Sequence, residues 1–224
     1  MRDLTLRGSS YGFPAAGEAG PFTLGPIDLT IRAGEILFIV RENGSGKTTL
    51  IKLLLGLYAP QTGEILLDGA PVTAKTRDAY RRHFSAIFFD YHLFDELIPM
   101  DGAGPEAARP LLERLDLARK VEIAEGRFST TDLSTGQRKR LALVQAALEG
   151  RAVLVLDEWA AEQDPTFRRR FYEELLPELR RGDRTLVVIS HNDRYFDAAD
   201  RVLHLGNGRI VTITEKASAT AVSV

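Results

Sequence analysis

The sequence contains no cysteine, which excludes disulfides, thiolate metal sites and cysteine nucleophiles, so any catalysis has to rest on other groups. Long apolar runs are missing as well. The longest, such as "ILFIV" and "AVLVL", fall far short of the roughly 20 residues with which a helix crosses a bilayer. The start, "MRDLTLRGSS", lacks the apolar stretch of a signal peptide, and the expectation is a cytoplasmic chain that does not span a membrane. Nor is there an excess of charge of one sign. With 29 Lys and Arg against 31 Asp and Glu, the net charge is -2 and the pI is near 6.1. No global electrostatic reason exists to bind nucleic acid or an anionic membrane surface. Internal repeats and low-complexity segments are also absent. What remains is an ordinary globular composition, 44% hydrophobic and 27% charged over 224 residues, enough for a single domain over 1–224 with a small insertion.

From Leu4 to Thr30 short apolar stretches alternate with Gly/Pro-rich breaks such as "GFPAAGEAGPF", the pattern of an antiparallel β layer. "EILFIV" then reads as a strand buried on both faces, and "KTTLIKLLLG" as a helix capped by Gly56. "TGEILLDGAPV" reads as two short strands around an Asp-Gly turn. From about 76 to 149 the pattern is mostly helical, with "IPMDGAGPEAARP" as a loop, and this stretch is the candidate inserted helical subdomain. Buried strands return with "AVLVLDE" and "TLVVIS". Between them lies a helix opened by Asp164 and Pro165, closed near Gly182 and kinked by Pro177. Alternating strands and helices predict an α/β fold with a largely parallel sheet.

Within this frame, "RENGSGKTTL" (41–50) has the ending of a phosphate-binding loop, G-x-x-x-x-G-K-[ST], with Gly46, Lys47 and Thr48 in the last three places and Arg41 where the first glycine belongs. Glycines let backbone N–H groups point at phosphate oxygens, the helix adds its positive end, the lysine adds a point charge and the hydroxyl ligates magnesium. Arg41 threatens the turn out of the strand more than those contacts. "AVLVLDE" delivers Asp157 and Glu158 to the C-terminal edge of the sheet, where ligands collect. Asp157 is placed to hold magnesium and Glu158 to orient or deprotonate a water. "LSTGQRKRLALVQAALEG" is a helix with Ser134 at its entry and Gly136 open to close backbone approach. By residue type its start reads equally as a cap or a phosphate site, and "RKR" reads as a solvated first turn. His191, ending "TLVVIS", shares the expected edge with Asp157, whereas His83, His92 and His204 fit packing or surface roles. Ser190-His191 has no glycine-flanked serine elbow to support a hydrolase. Tyr11 and Phe13 suit either core packing or the face of a flat base.

Taken together and in order, these motifs resemble the nucleotide-binding domain of ABC transporters over essentially the whole chain. "NGSGKTT" resembles Walker A, "LSTGQ" the signature, "VLVLDE" Walker B, "AEQD" the D-loop and "SH" the switch histidine. "FTLGPIDLTIRAGE", "FFDYHLFDEL" and "DEWAAEQDPTFRRRFYEELLPEL" are most similar to bacterial exporters of cyclic peptides and siderophore precursors, of the pyoverdine and syringomycin type.

The resemblance implies a P-loop NTPase core of the RecA-like kind, an ATP hydrolase, and a head-to-tail homodimer enclosing two ATP molecules with Mg2+. It assigns nucleotide contacts to Asn43, Gly44, Ser45, Gly46, Lys47, Thr48 and Thr49, with Phe13 against the adenine and Tyr11 in reserve. Ser134, Gly136, Gln137 and Asp164 would serve the partner's site. Thr48 and Asp157 would hold magnesium, with Asp90 as a further polar contact, while Glu158 prepares water and His191 senses the γ-phosphate. It implies a transmembrane domain, of the same or a partner polypeptide, at the cytoplasmic face of the bacterial inner membrane, and no nucleic acid. The sequence contains no such domain; a cut at the domain boundary or a separate subunit would account for that. Three positions depart from the motifs: Arg41 in Walker A, Thr135 in the signature pair and Phe89 for the Q-loop glutamine. Thr135 and Phe89 accord with the exporter subgroup; Arg41 does not. Two alternatives stay open: an ABC-like regulatory module with little turnover because of Arg41, and a soluble ABC ATPase working on DNA or ribosomes.

Overall fold

A computed structural model describes residues 1–14, 21–40, 45–97, 105–180 and 182–216. The chain opens with β1 (Asp3–Phe13) and β2 (Phe22–Arg32), followed by β3 (Ile36–Val40) and α1 (Lys47–Leu54). β4 (Thr62–Leu67) and β5 (Ala70–Pro71) flank Asp68 and Gly69, both at positive φ (52° and 81°), the backbone that an Asp-Gly turn supplies. Next come α2 (Arg77–Arg81), β6 (Phe84–Ile87), α3 (Arg109–Arg114), the short pair β7 (Ile123–Ala124) and β8 (Arg127–Phe128), and α4 (Thr135–Leu148). β9 (Val153–Asp157), α5 (Pro165–Arg170), α6 (Leu176–Leu179), β10 (Thr185–Ile189), β11 (Arg201–Gly206) and β12 (Arg209–Glu215) complete the order.

Two larger sheets result. The antiparallel layer runs β2-β1-β4-β5, and the central sheet runs β12-β11-β3-β10-β9-β6, parallel throughout except for β12. Period-2 alternation divides the central strands between two cores. Leu37 and Ile39, with Val153, Val155, Val187 and Ile189, pack on Leu50, Ile51 and Leu54 of α1 and on the antiparallel layer. Phe38 and Val40, with Leu154, Leu156 and Val188, pack on Leu141 and Val144 of α4 and on Phe167 and Phe171. Because both faces are covered, these strands are apolar at nearly every position.

The α/β reading and the antiparallel layer match the observed architecture. The expected helical stretch at 76–149 is interrupted by β6, which joins the central sheet beside β9. Its four residues, "FSAI", are too few to show a period. Pro177 does mark an irregularity. One π-helical turn, Phe171–Leu175, separates α5 from α6 just ahead of it, where the proline has no N–H to donate to the preceding turn. Asp164 caps α5 as its position suggests, its carboxylate accepting from Phe167 N–H at 2.9 Å.

Candidate functional site

Register alone brings three chain segments to one edge. Ile189 of β10 pairs with Ile39 of β3 on one side and with Asp157 of β9 on the other. The end of β3, the pair Asp157-Glu158 and the residues after β10 therefore share the C-terminal edge of the parallel strands. Two cross-links tighten it, Glu158 N–H to Ile189 O at 3.2 Å and Ser190 N–H to Ile39 O at 3.3 Å.

A cavity of about 560 Å³ opens there, lined by Phe22, Ser45, Gly46, Lys47, Thr48, Thr49, Phe89, Asp157 and Glu158. Gly46 precedes α1 with φ at +97°, and a Cβ on it would stand 2.7 Å from Phe22 Cζ. Only glycine fits both the backbone and the space. Ser45 is buried, and its Oγ has no partner, which leaves an orphan hydroxyl at the cavity wall that an oxygen-rich ligand would satisfy. The hairpin tip between β11 and β12 braces this turn: Gly208 N–H donates to Ser45 O at 3.0 Å, and Gly208 O accepts from Gly25 N–H at 2.7 Å.

Lys47, Glu158 and His191 converge beside the turn. Lys47 Nζ lies 3.5 Å from Glu158 Oε1 and 3.0 Å from His191 Nε2, and that nitrogen lies 2.6 Å from Glu158 Oε1. Glu158 adopts φ +50°, a left-handed backbone rarely taken by a side-chain-bearing residue. The neighbouring Asp157 is buried, and burial, then the Glu158 carboxylate, hold it above its ordinary pKa, against the Phe89 backbone N–H and the Lys47 and Lys139 ammoniums. Among the described residues no group of three or more His, Asp or Glu forms a resident metal site.

The pattern of the family described as "ABC transporter" matches residues 24–161, more than half of the chain. The ATP-binding protein SyrD of Pseudomonas syringae pv. syringae is 53% identical over 213 residues, covering 93% of this chain and 38% of SyrD. The chain belongs to the ABC transporter family. A β-(1→2)glucan export ATP-binding/permease protein, NdvA of Rhizobium etli (strain ATCC 51251 / DSM 11541 / JCM 21823 / NBRC 15573 / CFN 42), is 34% identical over 93% of the chain and 36% of its own length. The chain thus spans little more than a third of these curated relatives. Among solved structures, a bacterial Atm1-family ABC exporter with ATP bound superposes with a TM-score of 0.78 at 21% identity, covering 96% of this chain and 38% of that one. The ATP-binding cassette MJ0796, in a dimeric post-hydrolysis state with ADP and Pi, gives 0.77 at 20% identity, covering 95% and 98%. Both likenesses establish the fold. Among the described residues, no helix of this cassette is long and apolar enough to cross a membrane.

Of the expected site residues, Ser45, Gly46, Lys47, Thr48, Thr49, Asp157, Glu158 and His191 gather around the cavity. Arg41, Asn43 and Gly44 lie outside the described residues. Ser134, Gly136, Gln137 and Asp164 do not line the cavity and gather at the starts of α4 and α5. Gln137 Oε1 accepts from Ser134 N–H at 3.3 Å, Gly136 O accepts from Gln163 Nε2 at 3.0 Å, and Arg140 reaches Asp164 at 3.1 Å. A Cβ on Gly136 would stand 3.2 Å from Glu162 O, the close approach expected of it. Asp90 is exposed and outside the cavity lining, whereas its neighbour Phe89, 57% exposed, does line it. Tyr11 stacks face to face on Tyr58 at 4.5 Å, so its ring is engaged within the protein, while Phe13 meets both edge-on and is 38% exposed.

The basic run Arg138-Lys139-Arg140 corrects the solvated-turn reading. Only Arg138 is exposed; Lys139 is buried, and Arg140 lies over the Phe167 ring at 3.4 Å. Ser190 is likewise no nucleophile: it is buried and shares a 2.8 Å hydrogen bond with Tyr172 Oη. Phe22, Tyr58, Lys139 and Gly208 escaped the sequence reading. Phe22 and Lys139 lie in segments that carry a resemblance and Tyr58 and Gly208 in segments that carry none, and in each case only the tertiary pairing brings the residue to the site.

Proposed function

We propose that this domain binds and hydrolyses Mg-ATP to power export of a cyclic peptide or siderophore precursor across the bacterial inner membrane, acting from its cytoplasmic face. The observation that carries the reading is the meeting of Lys47, Asp157, Glu158 and His191 around the glycine turn at one sheet edge.

The orphan Ser45 hydroxyl and the Gly46 turn fit a phosphate chain, and Thr48 with Asp157 supplies hard oxygen donors for magnesium. Bound there, Mg2+ would neutralise charge on the phosphate oxygens. Lys47 adds a cation from the start of α1. Glu158 takes the proton of an attacking water, and His191 holds the Glu158 carboxylate through Nε2. Phe13, the more exposed ring of the aromatic trio, is the adenine contact. Ser134, Gly136, Gln137 and Asp164 do not line this cavity, which supports their serving a second cassette placed head to tail. A transmembrane partner completes the exporter, and "Probable syringafactin export ATP-binding/permease protein SyfD" of Pseudomonas syringae pv. syringae (strain B728a), 31% identical over 93% of the chain, supports an export role.

The test is Mg-ATP turnover per chain across a protein dilution series, with Glu158→Gln as the reference and Arg41→Gly beside it. Turnover above the reference that rises with concentration is expected. Turnover indistinguishable from Glu158→Gln in both other proteins would overturn hydrolysis, and turnover independent of concentration would overturn the shared site.

A further inference from the structure

Lys139 is 1% exposed, the most deeply buried ammonium in the described structure, and nothing in the hydrolytic scheme above uses it. A lysine so placed has lost its water and must find replacements. Its Nζ donates to the backbone oxygen of Glu158 at 3.2 Å and lies 3.4 Å from Glu162 Oε2. It also sits 5.1 Å from the centre of the Phe89 ring, within cation–π range. The residue grips the same segment a second time, since its own carbonyl accepts from Trp159 Nε1 at 2.8 Å. One residue of α4 thus holds both ends of the turn that follows β9.

That turn begins with a strained backbone. Glu158 is left-handed at φ +50°, and its carbonyl, held by Lys139, also accepts from Ala161 N–H at 3.2 Å. A non-glycine residue keeps such a backbone only where its surroundings over-determine it. On the opposite side of the residue, the carboxylate reaches His191 and Lys47. Fixing the carbonyl therefore fixes where the carboxylate points. Phe89, two residues past β6, joins the arrangement, since its ring faces Lys139 and lines the cavity.

We propose that Lys139 is a positioning residue, which holds Glu158 in its left-handed backbone and so aims the general base, tying the start of α4 to the reacting centre. Its side chain is absent from the cavity lining. The proposal rests on the ATPase reading for its effect on rate, but not for its effect on the turn.

Two readouts test it, with Lys139→Met, which keeps length and loses the charge and donors, and Lys139→Gln, which keeps a neutral donor. In the nucleotide-free protein, hydrogen exchange at Ala161 and Gln163 should speed up at least tenfold in Lys139→Met and less in Lys139→Gln, while the β9 amides Val153–Leu156 stay protected. In turnover, kcat should fall at least tenfold in Lys139→Met with KM for ATP changed less than threefold, and Lys139→Gln should retain the larger share. Adding Lys139→Met to Glu158→Gln should lower the residual rate no further. Unchanged exchange at Ala161 and Gln163, or exchange accelerated equally across β9, would overturn positioning whether or not the protein turns over ATP. Turnover absent from the unsubstituted protein, with the exchange result as expected, would instead remove the ATPase reading and leave Lys139 as the clamp of the turn. If Lys139→Met does not fold, Lys139→Gln decides alone by the same exchange comparison.

Discussion

His191 Nε2 lies 2.6 Å from Glu158 Oε1 and, at the same time, 3.0 Å from Lys47 Nζ. One ring nitrogen cannot donate to the carboxylate and accept from the ammonium at once. The shorter contact calls for a proton on Nε2, which His191 donates to the Glu158 carboxylate. His191→Ala should lower kcat by on the order of 10²-fold or more, because Glu158 loses its orienting donor. Binding of ATP in the absence of turnover should weaken less than threefold. A loss of affinity as large as the loss of rate would show that His191 acts on the phosphates instead.

Gly46→Ala tests the turn itself. The positive φ costs roughly 1–2 kcal/mol for an L-residue, and the added methyl would meet the Phe22 ring at 2.7 Å. Nucleotide affinity should fall more than tenfold. Phe22→Leu added to it relieves the crowding but not the backbone, so only part of the affinity should return in a fluorescence titration.

Asp157 opposes stability where it serves function. Its pKa is raised in the fold, chiefly by burial, so the protonated form is favoured by folding. That contribution is complete below the unfolded value and is lost as pH rises through the folded one. At neutral pH the carboxylate therefore weakens the nucleotide-free protein. Asp157→Asn should raise Tm at about pH 7.5, with the gain shrinking toward about pH 4.5, while abolishing the extra stabilisation that Mg-ATP gives over ATP alone. A Tm gain independent of pH would refute the electrostatic cause.

Gly208→Ala acts without touching the cavity. Its φ is +74°, and a Cβ would stand 2.2 Å from Thr23 O. The hairpin tip must shift, and Ser45 O loses its donor. Destabilisation on the order of 2 kcal/mol or more is expected, with nucleotide affinity reduced alongside. Circular dichroism melts and a binding titration measure the two together.

Much of this was readable from residue order. Buried strands announce themselves as unbroken apolar runs; Asp157 and Glu158 close one, His191 follows another, and Lys47 opens the helix after a third, so their convergence follows once the sheet is parallel. Lys139 was not readable, because a charge one helical turn past Ser134 looks like any exposed cation until α4 is packed against Trp159 and Glu158. Phe84–Ile87 gave too short a run to separate from the helical stretch around it. The aromatic trio was half visible: Tyr11 and Phe13 stood out, but Tyr58, which covers Tyr11, comes from the loop after α1.

The brace on Ser45 and the neighbours of β3 have a bearing on how the molecule is made. β3 is the first strand of the central sheet to be synthesised, yet both strands that flank it, β10 and β11, come near the other end, with Ile36 pairing to Leu186 and Leu37 to Arg201. Until then its hydrogen-bonding edges have no permanent partner. A nascent chain carrying the glycine turn, α4 and Asp157-Glu158 still has an open central strand and an unsupported Ser45. Such non-local pairing makes folding slow and exposes a sticky intermediate to aggregation. The nucleotide pocket is thus among the last features to form, and its completion reports that nearly the whole described chain has folded.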